Sequence, residues 1–155
     1  MNWKQLLAER RVEQREATKK EIDEIRETVL RTLEDAEIGL EAGQSSGRCF
    51  NIAYDAARMV AVQAVRCAGY RVKSSHGAHF YTFQALGVAL GSHVAQFIDY
   101  FDDCREKRNE VCYDWGEVTE CEATEILERT IKLRDMVESW IATERPDLGK
   151  ILKRD

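Results

Sequence analysis

Residues 50–61, which read FNIAYDAARMVA, decide the fold of this chain. The apolar residues here and just beyond recur at helical spacing, and most are small: Phe50, Ala53, Tyr54, Ala57, Val60, Ala61, Ala64, Cys67 and Ala68. This pattern predicts a helix from about Gly47 to Ala68 with a wide apolar face. Because small side chains let neighbouring elements approach closely, we expect this helix to lie at the centre of a helical bundle.

The flanking sequence predicts further amphipathic helices on both sides of this centre. One runs from Glu21 to about Leu40 and stops near Gly43, where a glycine and serine run ends the periodicity. Another follows Ser74 or Ser75, taken as its N-cap, and reaches about Leu90. Two more follow: one carries residues 94–113, and one starts at a capping box formed by Thr119 and Glu122 and ends before Pro146.

These segments together predict an all-α fold, an antiparallel up-and-down helical bundle of five or six helices. The pattern contains no strand alternation and no fixed-period repeat. We divide the chain into an N-terminal helical extension over residues 1–20, the bundle over 21–145 and a C-terminal tail over 146–155.

Composition limits the classes of function. The 155 residues carry a formal net charge of -5 and a pI near 5.4, which argues against broad electrostatic binding to nucleic acid or to an anionic membrane. A local basic patch is enough for a small RNA site. The five cysteines form no C-x-x-C pair and fall mostly on helical positions that are predicted to be buried, which indicates free thiols in a reducing compartment. No signal peptide or membrane-length apolar run is recognised, so we predict a cytoplasmic protein without a membrane partner.

Arg108 is the charge that does not fit its helix. It falls in the middle of an apolar stripe formed by Val94, Phe97, Ile98, Phe101, Cys104, Val111 and Cys112. A guanidinium on an apolar face needs a carboxylate or carbonyl inside the fold, a subunit interface, or a cleft that receives an anion. Asn51, Asp55 and Arg58 stack on the polar face of the central helix. Asp55 and Arg58 are either a surface ion pair or the partners that Arg108 requires.

A second group of candidate residues lies after the central helix. Arg66, Arg71 and Lys73 gather near the start of the next helix, where free amide groups favour an anion. His76 and His79 are spaced to share a metal ion, but no neighbouring carboxylate or cysteine completes a ligand set. Capping and packing histidines are the favoured interpretation, and we predict neither a metal site nor a cofactor.

The order of these elements resembles the HEPN superfamily. The resemblance spans about Glu21 to Thr143 and rests on the central AYDAAR stretch at residues 53–58, the break at Gly69 with its basic loop, and RNEVCYD at residues 108–114. More narrowly, the chain is similar to small bacterial and archaeal HEPN proteins whose late helix carries Arg-x-x-Ala-x-Tyr. The resemblance implies a bundle that dimerises through its motif helices and a role in toxin–antitoxin or defence modules.

The resemblance also implies where chemistry would occur. Catalytic HEPN members cut RNA without metal through Arg-x4-6-His; Arg108 matches the arginine and Asn109 the polar residue after it, whereas Tyr113 stands at the histidine position. Tyrosine, with an ordinary pKa near 10, is a poor base. We therefore predict a protein associated with RNA or a nucleotide-like anion, with metal-independent ribonuclease activity weak or absent, unless His76 or His79 supplies the missing base.

Two alternatives stay open. In one, the chain is a non-enzymatic dimerisation or interaction module in which Arg108, Asn109 and Tyr113 specify packing. In the other, taken from the family's toxin pairs, a partner nucleotidyltransferase antitoxin modifies Tyr113.

Overall fold

The all-α helical bundle is confirmed. The computed structural model describes residues 1–113 and 116–150, without the side chains of Cys112 and Tyr113. The helices are α1 (Trp3–Ala8), α2 (Lys19–Glu41), α3 (Ser46–Cys67), α4 (Ala78–Leu90), α5 (Ala95–Tyr113) and α6 (Glu120–Glu144). Two 3-10 helices (Gly91–Val94 and Pro146–Leu148) and two short strands, β1 (Val12–Gln14) and β2 (Tyr70–Val72), complete the described chain.

Helix α3 lies at the centre, as its small residues predicted. It packs against α2, α6, α4, α5 and β2. The side chains of Ala53, Ala57, Ala61 and Ala64 are fully buried, so the neighbouring helices approach the α3 backbone closely. Because α3 is central, its polar residues lie close to the neighbouring helices as well as to solvent.

Sequence signals at the helix ends have direct structural counterparts. The predicted capping box at α6 is present, because Thr119 accepts a hydrogen bond from the Glu122 amide and Glu122 bonds back to the Thr119 amide. An equivalent box between Thr18 and Glu21 starts α2. Gly43 takes a φ of 74° just after α2, a left-handed conformation that glycine adopts without strain.

The expectation of a helical extension over residues 1–20 is wrong between Ala8 and Lys19. Residues 12–14 instead form β1, which pairs antiparallel with β2 so that Val12 lies opposite Val72. Leu6 and Val12 are buried in a small cluster with Val65 and Ala85. The absence of a strand signal was also misleading, because a three-residue strand is too short to show alternation.

Helix α4 begins later than its serines predicted. Its N-cap is Gly77, whose φ is 81°, and the first helical residue is Ala78. Ser74 and Ser75 therefore lie in the connection between β2 and α4. His76 lies in that connection too and is exposed, so it does not share a helical turn with His79.

The segment that directly follows α6 is anchored to the core. Helix α6 ends at Glu144, before Pro146 as predicted, and Leu148 in the following 3-10 helix is buried in the core. Nη2 of Arg26 donates to the Leu148 carbonyl at 2.8 Å. Among the described residues, Cys49, Cys67, Cys104 and Cys121 are free thiols, and no helix is long and apolar enough to cross a membrane.

Candidate functional site

Arg108 projects from α5 towards α3, where it meets two neighbours. Its Nη2 lies 3.5 Å from Oδ1 of Asp55, and its guanidinium lies 5.6 Å from the centre of the Tyr54 ring. The Arg108 side chain is 24% exposed and that of Asp55 40% exposed. The requirement that an arginine on an apolar stripe find a carboxylate is therefore met within one chain, while part of the guanidinium still faces solvent.

Several polar atoms around this contact are buried and lack a hydrogen-bond partner within the described part of the chain. They are Nε of Arg108, Nε of Arg58 and the Tyr54 hydroxyl. Burial raises the pKa of Tyr54 to about 12, so this hydroxyl stays protonated at neutral pH and can act only as a neutral donor or acceptor. Polar groups left in this state cost free energy and are rare in folded proteins, so each one needs a physical reason.

His79 is brought to the same place from α4. Its ring centre lies 6.1 Å from that of Tyr54. Burial lowers the pKa of His79, and the positive charges of Arg58 and Arg108 lower it further. Since the ordinary pKa of histidine is about 6.5, the His79 imidazole is neutral at pH 7 and has a nitrogen able to accept a proton. The sequence could not show that this histidine and Arg108 share a neighbour.

The other motif residues are less well placed for a shared role. Asn51 is half-buried on α3, one turn before Asp55. Asn109 is exposed on α5, immediately after Arg108. Tyr113 is the last residue of α5, and its side chain lies outside the described residues.

A cleft of about 730 Å³ opens beside this region, between α2, α3, β2 and the start of α4. Five of the predicted binding residues line it: Arg58, Arg66, Arg71, Lys73 and His79. His76 is outside this lining. Arg58 and His79 thus border both the cleft and the surroundings of Tyr54, which makes the two regions neighbours.

Arg66 does not have the freedom that an anion ligand needs. Its Nη1 donates to the carbonyls of Arg15 at 2.7 Å and Tyr70 at 3.2 Å. Its Nη2 donates to the Glu16 carbonyl at 3.2 Å and to the Glu21 carboxylate at 2.9 Å. These bonds use the hydrogens of both terminal nitrogens, and the hydrogen bond from Arg66 is the main cause of the lowered pKa of Glu21. Arg66 is therefore a structural clamp, and its predicted binding role is not supported.

Some residues that line the cleft were not identified as candidate site residues from the sequence. Arg15 belongs to the connection between β1 and α2, a segment that was expected to be a solvated helix. Ile25, Met59 and Val62 form an apolar part of the lining. All three side chains are half-buried, and nothing in their local sequence indicates that they border a cavity.

Comparisons with protein-family models, with curated proteins and with solved structures find no match to this chain. Within residues 1–113 and 116–150, no group of three or more histidine, cysteine, aspartate or glutamate side chains is arranged to hold a metal ion.

Proposed function

We propose that this protein is a HEPN-like protein that binds RNA through the surface around Arg108, Asp55, Tyr54 and His79, with metal-independent ribonuclease activity weak or absent. The observation that carries the proposal is the state of Arg108. Its guanidinium is held beside Asp55 yet stays partly exposed, and its Nε has no hydrogen-bond partner within the described residues. A guanidinium presents five donors and recognises phosphate through paired hydrogen bonds.

We expect weak or absent cleavage because the side chains in this region are poorly suited to transfer protons. Cleavage next to a ribose 2′-hydroxyl requires a base to remove its proton and an acid to protonate the leaving oxygen. The tyrosine at position 113 replaces the motif histidine, and the buried Tyr54 is a still poorer base because its pKa is about 12. His79 is the imidazole that the fold brings into this region, and it offers a base without a defined acid partner.

We further propose, from the resemblance to HEPN proteins, that the chain forms a homodimer through its motif helices. This dimer would act in a toxin–antitoxin or defence-type system, with a nucleotidyltransferase antitoxin as partner.

The test combines binding, cleavage and mass in solution. Single-stranded RNA is titrated into the wild type, Arg108→Ala and the matched control Arg31→Ala, which removes an exposed arginine from α2. Cleavage is followed with EDTA present. We expect Arg108→Ala to weaken RNA binding at least tenfold, whereas Arg31→Ala leaves it unchanged. Equal RNA affinity for all three proteins, or no RNA binding by the wild type, would contradict the proposal.

A non-enzymatic interaction module is the second candidate, and the Arg108–Asp55 contact favours it because Arg108 has a carboxylate neighbour within its own chain. In this case Arg108→Ala changes the sedimentation mass or the unfolding midpoint and leaves RNA affinity untouched. The same set of variants therefore separates the two functions.

A further inference from the structure

The cleft beside the Arg108 region has a distinct chemistry of its own. Its lining contains five basic and two acidic side chains, which is the reverse of the balance over the whole acidic chain. One of the acidic residues, Glu21, is engaged by Arg66 at 2.9 Å. The excess positive charge comes from separate elements: Arg58 on α3, Arg71 on β2 and Lys73 just after it.

Arg66 uses its terminal nitrogens in hydrogen bonds within the chain, whereas these three cations are less committed and can bind an anion. Arg58 has a buried Nε without a hydrogen-bond partner among the described residues. Arg71 is half exposed, and its nearest carboxylate oxygen, on Glu13, is 3.8 Å away, too far for a hydrogen bond. Helix α4 begins at Ala78 in the wall of the cleft, so the positive end of its dipole adds to the same potential.

Another part of the lining is apolar. Ile25 on α2 and Met59 and Val62 on α3 are half-buried and face the cleft. A volume of about 730 Å³ lies within the range of small-ligand sites, which combine apolar walls with a few well-placed polar groups. The lining of one cleft thus combines several cationic side chains with several apolar ones.

We propose that this cleft binds the terminal nucleotide of an RNA strand, with a terminal phosphate monoester held by Arg58, Arg71 and Lys73 and the base lying against Ile25, Met59 and Val62. Charge favours a terminal phosphate over an internal one. A phosphate monoester carries about -1.5 to -2 at pH 7, whereas an internal diester carries a single negative charge, so several convergent cations match the monoester better.

The nucleic-acid half of this inference rests on the proposed RNA association, whereas the recognition of a phosphate monoester rests on the cleft alone. Arg58 and His79 border both regions, so a strand whose end occupies the cleft continues towards Arg108. A free mononucleotide presents the same chemistry as a strand end, and the experiment separates the two sources.

The experiment measures the affinity of the full chain for matched ligands. These are short oligoribonucleotides with a 5′-phosphate, with a 3′-phosphate or with hydroxyl groups at both ends, together with the mononucleotide, the nucleoside and inorganic phosphate. The test variant is Arg71→Gln combined with Lys73→Gln. Its control is Arg31→Gln combined with Lys132→Gln, which removes the same charge from exposed positions on α2 and α6 outside the described lining of the cleft.

We expect the wild type to bind one phosphorylated oligonucleotide at least tenfold more tightly than the unphosphorylated one. The test variant loses this preference and the control keeps it. Tighter binding of the phosphorylated strand than of the mononucleotide identifies an RNA end as the ligand, whereas equal affinities identify a free nucleotide and overturn the assignment to a strand end.

Two results would overturn the cleft itself. One is equal affinity for phosphorylated and unphosphorylated strands, which would show that the cleft does not recognise a terminal phosphate. The other is inorganic phosphate binding as tightly as the mononucleotide, which would show that the base makes no contribution to binding. Mononucleotide binding to Arg108→Ala separates this inference from the proposed function: it persists if the cleft is right, even where RNA binding around Arg108 fails.

Discussion

Arg108 on α5 reaches Asp55 on α3, with Nη2 of the arginine 3.5 Å from Oδ1 of the carboxylate. The contact is longer than a good hydrogen bond and both side chains are partly exposed, so it contributes less than about 1 kcal/mol to stability. A pair this weak is easily displaced by a better ligand for the guanidinium. The contact therefore positions Arg108 without consuming its ability to bind an anion.

The first prediction concerns that carboxylate. Asp55→Asn removes the negative charge beside Arg108 and keeps the size of the side chain, so we expect RNA affinity to rise about threefold to tenfold at low salt. The measurement is a fluorescence titration with single-stranded RNA at two salt concentrations. Asp135→Asn, which changes an exposed residue on α6, is the charge-matched control.

If Arg108 serves packing alone, Asp55→Asn and Asp135→Asn will raise RNA affinity equally or not at all. Opposite effects of Asp55→Asn and Arg108→Ala on RNA affinity, by contrast, require that the guanidinium itself meets the ligand.

Much of the fold was predictable, because the long helices have strong local signals. The small apolar face around Ala53 and Ala57 predicted a central helix, and Thr119 with Glu122 predicted where α6 starts. The same local reasoning identified Arg108 as a charge in need of a partner. Each of these signals depends on the spacing of residues within one helix, and that spacing can be read from the sequence alone.

The parts that were not predictable depend on contacts distant in sequence. Val12 becomes part of a strand only because Val72 lies opposite it. Arg66 looks like a free basic residue until the segment at residues 15–21 supplies its acceptors. His79 approaches Tyr54 through the packing of α4 on α3. Such long-range pairings leave no periodic pattern for a single sequence to reveal.

A second prediction tests the structural role of Arg66. Arg66→Ala leaves three backbone carbonyls and the Glu21 carboxylate without their donor, and we expect the free energy of unfolding to fall by about 3 kcal/mol. Arg66→Lys is expected to recover little, because one ammonium group cannot reproduce the planar fork of donors. Urea unfolding monitored by circular dichroism measures both losses.

Arg71→Ala is the control for Arg66, since its side chain is 50% exposed and its ion pair is long. We expect a change within about 0.5 kcal/mol. An Arg66→Ala variant as stable as Arg71→Ala would show that the clamp is not needed to hold the N-terminal segment.

A third prediction tests whether the N-terminal segment belongs to the folded core. Leu6 is fully buried, so Leu6→Ala is expected to lower the free energy of unfolding by about 2–5 kcal/mol. Leu30→Ala, at a leucine that is 48% exposed on α2, is the matched control and is expected to change it by less than about 0.5 kcal/mol. Equal stability of the two variants would mean that residues 1–20 are a solvated extension after all.

The last prediction follows from the neutral state of His79. Burial, Arg58 and Arg108 lower its pKa, and Arg105 acts in the same direction, while Asp55 opposes them. The folded-state pKa therefore lies below the unfolded value of about 6.5. As the pH falls below about 6.5, His79 is protonated in the unfolded chain but still neutral in the folded chain. Protonation therefore favours unfolding, and the stability present at higher pH is lost progressively as the pH falls to the folded-state pKa.

We expect His79→Gln to lose less stability than the wild type between pH 7.5 and pH 5, as measured by urea unfolding at each pH. His76→Gln, which alters the exposed histidine in the connection before α4, is the control and should follow the wild type. The imidazole titration followed by NMR gives the pKa of His79 directly, and a bound phosphate in the adjacent cleft should raise it because the anion stabilises the imidazolium. A His79 pKa at or above that of free histidine without ligand would mean that the side chain is not held among these arginines.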